Sequence, residues 1–213
     1  MVNLHTILLV SCIFLTLSFS VESAIMKGSP GGILSSPRVT DWGEWGDFEY
    51  CKEGTYVIGM RLKTEPAQGP SDDTALNGVR FMCGIVGESQ KVLHSPERQI
   101  QSREGNWGTW GVSYECPKSY AVGFQLRSEP HQKNHDDTGA NNLRIFCSNS
   151  MKYLEGSGLS WGEWTEPQLC PLGWAMCGIR TQVESPKGHN VDDSALNNLD
   201  VQCCKLSQYN ELL

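Results

Sequence analysis

The chain has 213 residues, a formal net charge of −7, 22 glycines, seven tryptophans and nine cysteines. It is mildly acidic and has no basic run, so it lacks the cationic surface that attracts nucleic acids and anionic membranes, and neither is predicted as a partner. The composition suits short strands and many turns better than long helices.

The N-terminal segment predicts export. An apolar run extends from Ile7 to Phe19 and is followed by a small and polar stretch that ends at Ala24. The run is too short to span a bilayer comfortably, and it has the position of a secretory signal. We expect residues 1–23 to be a signal peptide, with cleavage after Ala24 as the near alternative. Its removal takes away Glu22 and changes the net charge from −7 to −6. No second long apolar run follows, so we expect the mature chain to be secreted into the extracellular space without a membrane span.

Three copies of one unit fill the mature chain. Each copy opens with a Trp-Gly-x-Trp motif, and a cysteine follows nine residues after its first tryptophan. Each copy ends with a block of the type Asp-Asp-Thr/Ser, and a cysteine follows eleven residues after the first aspartate. We call these the closing blocks; they are residues 72–77, 136–141 and 192–197.

The repeat also predicts the domain boundaries. We expect a single domain over 41–205, preceded by a lead-in at 24–40 and followed by a tail at 206–213. The spacing between the first two copies is longer, and Val86 to Arg103 is predicted to be an insertion or a longer hairpin. The repeats are expected at about 41–84, 106–148 and 160–204.

Alternation with period two predicts strands inside each unit. The expected inward residues of the first strand are Tyr56, Ile58, Met60 and Leu62. The inward residues of the last strand in each unit are expected to be Val79-Phe81-Cys83, Leu143-Ile145-Cys147 and Leu199-Val201-Cys203. No stretch of the mature chain shows a convincing helical period, so the predicted fold class is all-β.

The cysteines predict a disulfide framework. Cys12 lies in the signal segment, and the eight that remain argue for four disulfides, because an even number in an exported chain is typical of such a framework. Threefold equivalence demands the same bond in each unit and leaves one further pair. The predicted bonds are Cys51–Cys83, Cys116–Cys147, Cys170–Cys203 and Cys177–Cys204.

The Trp-Gly-x-Trp openings, the closing blocks and the three-copy layout with eight cysteines resemble the vitelline membrane outer layer protein I family. The resemblance covers the chain from about Trp42 to Cys204. It implies a β-prism of type I, in which three Greek-key four-stranded sheets stand around a pseudo-threefold axis and share one core. It also implies a secreted protein of egg coats and fluids. A transferase activity on chito-oligosaccharides is ascribed to the avian member, and lectins share the prism architecture.

Two departures weaken strict threefold equivalence. Gly139-Ala140 replaces the Ala-Leu of the other two closing blocks. Asp200 stands where the other copies carry Arg80 and Arg144. We therefore do not expect any surface site to recur unchanged in all three units.

The paired tryptophans can be interpreted in two ways. Exposed indoles stack on sugar rings, whereas three sheets meeting at an axis need large residues to fill the space between them. Recurrence in all three units favours packing in the axial core. The six tryptophans are Trp42, Trp45, Trp107, Trp110, Trp161 and Trp164.

The aspartates of the closing blocks are the candidate binding residues: Asp72, Asp73, Asp136, Asp137, Asp192 and Asp193. Two carboxylates at a defined separation suit glycoside chemistry, but adjacent strand residues point to opposite faces, and the block suits a tight turn. No catalytic residue, metal site or cofactor is predicted. The loop residues Glu65, Glu129 and Glu184 hold equivalent positions and are expected to be solvated.

Three functional hypotheses follow from these observations. The first is a non-enzymatic protein of an extracellular coat or fluid that binds coat proteins or glycans. The second is a weak carbohydrate-active transferase on N-acetylglucosamine oligosaccharides, and the third is a lectin with prism architecture. The oligomeric state is left open.

Overall fold

The computed structural model describes residues 32–68, 74–86, 92–132, 137–150, 152–187 and 194–207. The predicted signal peptide, residues 24–31 of the lead-in and residues 208–213 of the tail lie outside these residues. Within them the chain forms strands and no helix, which confirms the all-β prediction. In chain order the strands are β1 (Ile33–Ser35), β2 (Glu44–Trp45), β3 (Glu49–Tyr50), β4 (Tyr56–Thr64), β5 (Leu76–Val86), β6 (Val92–Gln101), β7 (Thr109–Glu115), β8 (Ala121–Ser128), β9 (Ala140–Cys147), β10 (Tyr153–Glu155), β11 (Glu163–Trp164), β12 (Gln168–Leu169), β13 (Trp174–Val183) and β14 (Leu196–Lys205).

The strands form three antiparallel sheets. Sheet 1 has the order β6-β5-β4-β7. Sheet 2 has the order β10-β9-β8, and the short strands β11 and β12 both pair with the free side of β8. Sheet 3 has the order β1-β14-β13, and β2 and β3 both pair with the free side of β13. Each pair of short strands fills one position, so every sheet is four strands wide, and the fold is the predicted β-prism.

Each sheet contains a strand from the next sequence repeat. The Trp-Gly-x-Trp segment of the second repeat forms β7, which pairs with β4 of the first repeat. The corresponding segment of the third repeat forms β11 and β12 and pairs with β8. The segment of the first repeat closes the cycle, because β2 and β3 pair with β13. The resemblance implied one sheet per repeat, whereas the structure builds each sheet from two repeats.

The structure joins the eight cysteines in the four pairs that the repeat indicates. Because each sheet includes a segment of the next repeat, three of these bonds link different sheets. Cys51 follows β3, and its backbone N–H donates to Cys177 in sheet 3, while its disulfide partner Cys83 lies in β5 of sheet 1. The equivalent bonds from Cys116 and Cys170 join sheet 1 to sheet 2 and sheet 2 to sheet 3. The three repeated bonds therefore form a closed ring of links between sheets.

The fourth bond, Cys177–Cys204, lies within sheet 3 and joins β13 to β14. The sequence pattern suggested that every repeated bond cross-links one unit within itself. In space, only this extra bond stays inside one sheet.

The main core lies between the three sheets and is built from aliphatic side chains, methionines and two phenylalanines. Its largest fully buried members include Phe81, Phe124, Met60 and Met176. All nine residues that the pattern of the last strands placed inward are buried in this core. The alternation in β5, β9 and β14 was therefore interpreted correctly.

The first long strand of each unit departs from simple alternation because it contains a β-bulge. The extra residue is Ile58 in β4, Val122 in β8 and Cys177 in β13. A bulge places two residues opposite one, so the side chains before it change face. In β4, Val57 packs into the main core with Met60 and Leu62, which corrects the predicted face. Tyr56 belongs instead to a small second cluster with Tyr120, Val122, Ala175, Cys177, Cys204 and Leu206.

Two segments outside the three predicted repeats complete the sheets. The predicted insertion between Val86 and Arg103 contains β6, which forms an antiparallel pair with β5. In sheets 3 and 2 the same edge position is held by the three-residue strands β1 and β10. The strand β1 comes from the predicted lead-in and pairs with β14.

The glycine of each Trp-Gly-x-Trp motif has a positive φ: 85° at Gly43, 77° at Gly108 and 67° at Gly162. A Cβ atom on Gly108 would lie within 3.0 Å of the backbone of Thr64 and Glu65 in β4 and the loop after it. The other two glycines approach the equivalent backbone segments of sheets 3 and 2 as closely. These glycines let the exchanged strand enter the neighbouring sheet, since any side chain would collide with that sheet's main chain.

Candidate functional site

The three closing blocks meet at one end of the prism, which we call the closing-block end. Gly139 lies against the carbonyl of Leu196 and against Ser194, and Gly105 lies against Asn77 and Ala195, so residues from all three sheets are in contact. Of the six candidate aspartates, the structure describes Asp137. Asp72, Asp73, Asp136, Asp192 and Asp193 lie outside the described residues.

A hydrogen-bonded chain of glutamate, hydroxyl and amide recurs in each closing block. In the first block Thr74 Oγ1 donates to Glu65 Oε2 over 2.6 Å, and Asn77 Nδ2 donates to Thr74 Oγ1 over 2.7 Å. The counterparts are Thr138 Oγ1 to Glu129 at 3.0 Å, Asn141 to Thr138 at 2.8 Å, Ser194 Oγ to Glu184 at 3.1 Å and Asn197 to Ser194 at 2.8 Å. The threonine or serine and the asparagine of each closing block therefore hold the local backbone in place through short-range side-chain hydrogen bonds.

The three glutamates were predicted to be solvated, and this prediction is wrong for Glu65 and Glu184, which are buried. Their carboxylates accept the hydroxyl and backbone N–H groups of the closing blocks, and Lys187 Nζ adds an ion pair to Glu184 at 2.5 Å. The sequence did not indicate this burial, because the hydrogen-bond partners of each glutamate lie on the other arm of its hairpin. These hydrogen bonds tie each carboxylate to the opposite arm of its own hairpin.

The side-chain amide oxygens of the three closing-block asparagines differ in their hydrogen-bond partners. Asn77 Oδ1 accepts the backbone N–H of Trp107 at 3.1 Å, and Asn197 Oδ1 accepts Thr40 Oγ1 at 2.5 Å. The same oxygen of Asn141 is buried and has no hydrogen-bond partner among the described residues. The three blocks are therefore not equivalent even at these buried asparagines.

Asp137 anchors a pair of aromatic rings at this end. It is buried, and its Oδ2 lies 2.5 Å from His131 Nδ1, while its Oδ1 accepts the backbone N–H of Gln132 at 2.7 Å. The imidazole of His131 is more than half exposed and lies edge-on to Trp42, with ring centroids 5.4 Å apart. Asp137 thus orients a solvent-facing imidazole beside an indole instead of facing solvent itself.

None of the six repeated tryptophans lies in the buried core, so the prediction that they fill the axis is wrong. The axis is filled by the long strand pairs of the three sheets, whereas the tryptophans lie on the exchanged segments at the sheet edges. The second tryptophan of each motif stacks on guanidinium groups instead: Arg38 and Arg180 at 4.6 and 4.7 Å from the ring of Trp45, Arg80 at 3.8 Å from Trp110, and Arg144 at 3.8 Å from Trp164.

The first tryptophan of the second motif is the most accessible of the six. Trp107 is 48% exposed, and its backbone is fixed by the hydrogen bond to Asn77 at the closing-block end. Trp107 therefore presents an accessible indole to solvent. The sequence alone did not distinguish it from the other five repeated tryptophans.

The departure at Asp200 is compensated within sheet 3. Asp200 is buried and pairs with both Arg38 and Arg180, each at 2.7 Å. Arg38, which lies just after β1, supplies a guanidinium group that stacks on Trp45. Arg80 and Arg144 supply the corresponding group to Trp110 and Trp164 in the other two sheets. The cation–π stack on tryptophan is therefore preserved in all three sheets although the residue at this position changes sign.

Within the described ranges, no group of three or more histidine, cysteine, aspartate or glutamate side chains could hold a metal ion. The same part of the chain has no helix long and apolar enough to cross a membrane.

Comparison with known proteins identifies the family. A family model described as vitelline membrane outer layer protein I matches residues 32–206. A mouse protein named vitelline membrane outer layer protein 1 homolog is 44% identical over 172 residues, which is 78% of this chain and 81% of the relative. The human homolog is 40% identical over 183 residues, 82% of this chain and 85% of the relative.

Among solved structures, a mannose-binding jacalin-related lectin from Ananas comosus superposes with a TM-score of 0.48 at 11% identity, covering 82% of this chain and 99% of the lectin. A likeness of this size says nothing about ligands. The family assignment therefore rests on the sequence matches, which span the whole prism: the chain belongs to the vitelline membrane outer layer protein I family.

Proposed function

We propose that this protein is a secreted, non-enzymatic component of an extracellular layer, of the vitelline membrane outer layer type that the names of its relatives indicate. The observation that carries the proposal is the ring of three disulfides that links the three sheets. Such bonds form and persist in oxidising compartments and suit a protein that must remain folded outside the cell.

The polar residues of the closing-block end support a structural role over a catalytic one. Glycoside chemistry requires two carboxylates that converge on one bond of the substrate. Glu65 and Glu184 are buried and hydrogen-bonded within their own hairpins, and Asp137 holds His131 and a loop amide. The alternative function is that of a transferase on chito-oligosaccharides, and an activity assay with these substrates tests it.

Expression of the full chain in a secreting animal cell tests the proposal. We expect the protein in the medium, with Ala24 at its N-terminus, or Ile25 if cleavage follows Ala24, and with no free thiol. A variant with arginine in place of Leu9 and Val10, which interrupts the apolar run, should stay in the cell. Protein that remains inside wild-type cells, or turnover of N-acetylglucosamine oligosaccharides by the purified protein, would contradict the proposal.

A second candidate function, glycan binding at the closing-block end, is favoured by the exposure of Trp107. An indole that presents an apolar face to solvent can stack on a pyranose ring, and aromatic anchors dominate many binding sites. This function is compatible with a coat protein, because extracellular layers are rich in glycans.

We expect Trp107→Ala to weaken binding of an N-acetylglucosamine hexasaccharide at least tenfold, which corresponds to about 1.4 kcal/mol. Isothermal titration calorimetry measures the change. Tyr153→Ala is the matched control, since Tyr153 is 49% exposed but lies on β10, away from the closing blocks. Equal affinities of Trp107→Ala and the wild type would remove this site from consideration.

A further inference from the structure

The end of the prism opposite the closing blocks carries an apolar groove on the seam between sheets 2 and 3. Its volume is about 370 Å³, near the lower limit of pockets that bind small ligands. Most of its lining is apolar, and the residues that matter here are Val122, Leu169, Pro171, Leu172, Trp174 and Leu206. None of the described residues that line it carries a charge.

The apolar wall is specific to the third repeat. Leu172 and Trp174 lie five and three residues before the bulge residue Cys177. At the same distances before their own bulges, the first repeat carries Glu53 and Thr55 and the second repeat carries Pro117 and Ser119. The groove is therefore not a by-product of threefold packing.

Leu172 is fully exposed at the tip of the turn that precedes β13. An exposed leucine beside an apolar groove forms a contiguous patch, and such patches on soluble proteins commonly mark binding sites.

The walls of the groove are fixed by the main chain. Leu206 N–H donates to the carbonyl of Gly173 at 2.9 Å, and Trp174 N–H donates to that of Pro171 at 3.0 Å. Cys170, which is covalently bound to Cys203, holds the side of sheet 2 through a 2.8 Å bond to the carbonyl of Val122. A site whose shape is set before binding loses little entropy when a ligand enters.

The size and chemistry of the groove select its occupant. A stable interface between protein chains buries about 20–30 residues on each side, far more than the few residues that line this groove. An uncharged lining provides no partner for a phosphate, a sulfate or a carboxylate within the groove. Apolar area of this extent is removed from water most simply by a hydrocarbon chain.

We propose that this groove binds the apolar chain of a single-chain amphiphile, whose polar head group stays in solvent beside the exposed Ser148. The proposal is independent of glycan binding, because the groove and the closing blocks lie at opposite ends of β13 and β14.

The test uses the full secreted chain and octaethylene glycol dodecyl ether below its critical micelle concentration, measured by displacement of the fluorescent probe N-phenyl-1-naphthylamine. This amphiphile carries no sugar, so its binding cannot arise from a glycan site. We expect saturable binding with one molecule per chain. Leu172→Glu, which introduces the residue type found at this position in the first repeat, should weaken it at least tenfold.

Because Leu172 is fully exposed, its replacement should leave the melting temperature unchanged, and Trp174→Thr provides a second variant that opens the wall. Glu53→Gln, at the equivalent turn of the first repeat, is the matched control and should bind as the wild type does. The proposal is overturned if the wild type shows no saturable binding or if Leu172→Glu binds equally well. It is also overturned if binding appears only after removal of residues 208–213, or if Leu172→Glu converts a dimer to a monomer in sedimentation.

Discussion

Replacing the six cysteines of the three inter-sheet disulfides by serine is expected to leave the chain unfolded at 37 °C. The bonds close loops of 32, 31 and 33 residues that do not overlap along the chain. In the chain-entropy model each loop stabilises the fold by roughly 3–4 kcal/mol, and separate loops add, so the total is about 10 kcal/mol. This total is comparable to the whole stability of a typical domain, about 5–15 kcal/mol.

The fourth bond provides the matched control. Cys177–Cys204 spans 27 residues, but Cys170–Cys203 already closes almost the same segment. Once that bond is in place, the additional loop is short, and the expected loss on replacing Cys177 and Cys204 by serine is only about 2–3 kcal/mol.

Circular dichroism during urea titration measures both sets of variants. The double variant should unfold cooperatively at a lower midpoint, whereas the sixfold variant should show no folded baseline. A sixfold variant that unfolds cooperatively with a loss below about 4 kcal/mol would show that packing between the sheets, and not the ring of bonds, holds them together.

The second large effect is expected from Gly108→Ala, which should lower the free energy of unfolding by about 3 kcal/mol or more. Gly108 has φ 77°, a conformation that costs an L-residue roughly 1–2 kcal/mol. The new Cβ would also meet the backbone of Thr64 and Glu65, which cannot swing aside as a side chain would. The forced shift of the exchanged strand adds about 1–3 kcal/mol.

Gly54→Ala separates the two contributions. Gly54 has nearly the same φ, 76°, but nothing lies within 4 Å of the position that its Cβ would take. Its replacement should cost only about 1–2 kcal/mol, the conformational part. Thermal unfolding measures the difference, since each kcal/mol shifts the melting temperature by about 2–4 °C in a domain of this size. Equal losses for the two variants would mean that the backbone approach at Gly108 carries no energetic weight.

Two departures from the repeat show what the sequence reveals and what only the structure adds. Gly139 replaces an alanine, and the structure places it at φ 61°, while the alanines Ala75 and Ala195 adopt φ 48° at the equivalent positions. All three blocks therefore use the same left-handed turn, which only the backbone reveals. In the sequence, Asp200 interrupts the cation position that Arg80 and Arg144 share, yet Arg38, from outside the three predicted repeats, restores the stack on Trp45.

The repeated motifs were sufficient to predict the two long strands of each repeat, the fold class and the family, because period-two alternation and identical spacing in three copies are local properties of the chain. The inward positions of β5, β9 and β14 followed from the same pattern, as did the cysteine pairs through equivalence alone. The bulges at Ile58, Val122 and Cys177 were not predictable, since an extra residue in one strand is visible only against its partner.

Only the tertiary structure decided which strand belongs to which sheet and where the tryptophans lie. A Trp-Gly-x-Trp segment can pair with its own repeat or with the preceding one, and its local sequence fits either; the choice depends on contacts between residues far apart in the chain. That choice turned the repeated disulfides into links between sheets and put the tryptophans on the sheet edges. The groove beside Leu172 likewise arises where sheets 2 and 3 meet, because its walls come from four separate segments that no local pattern connects.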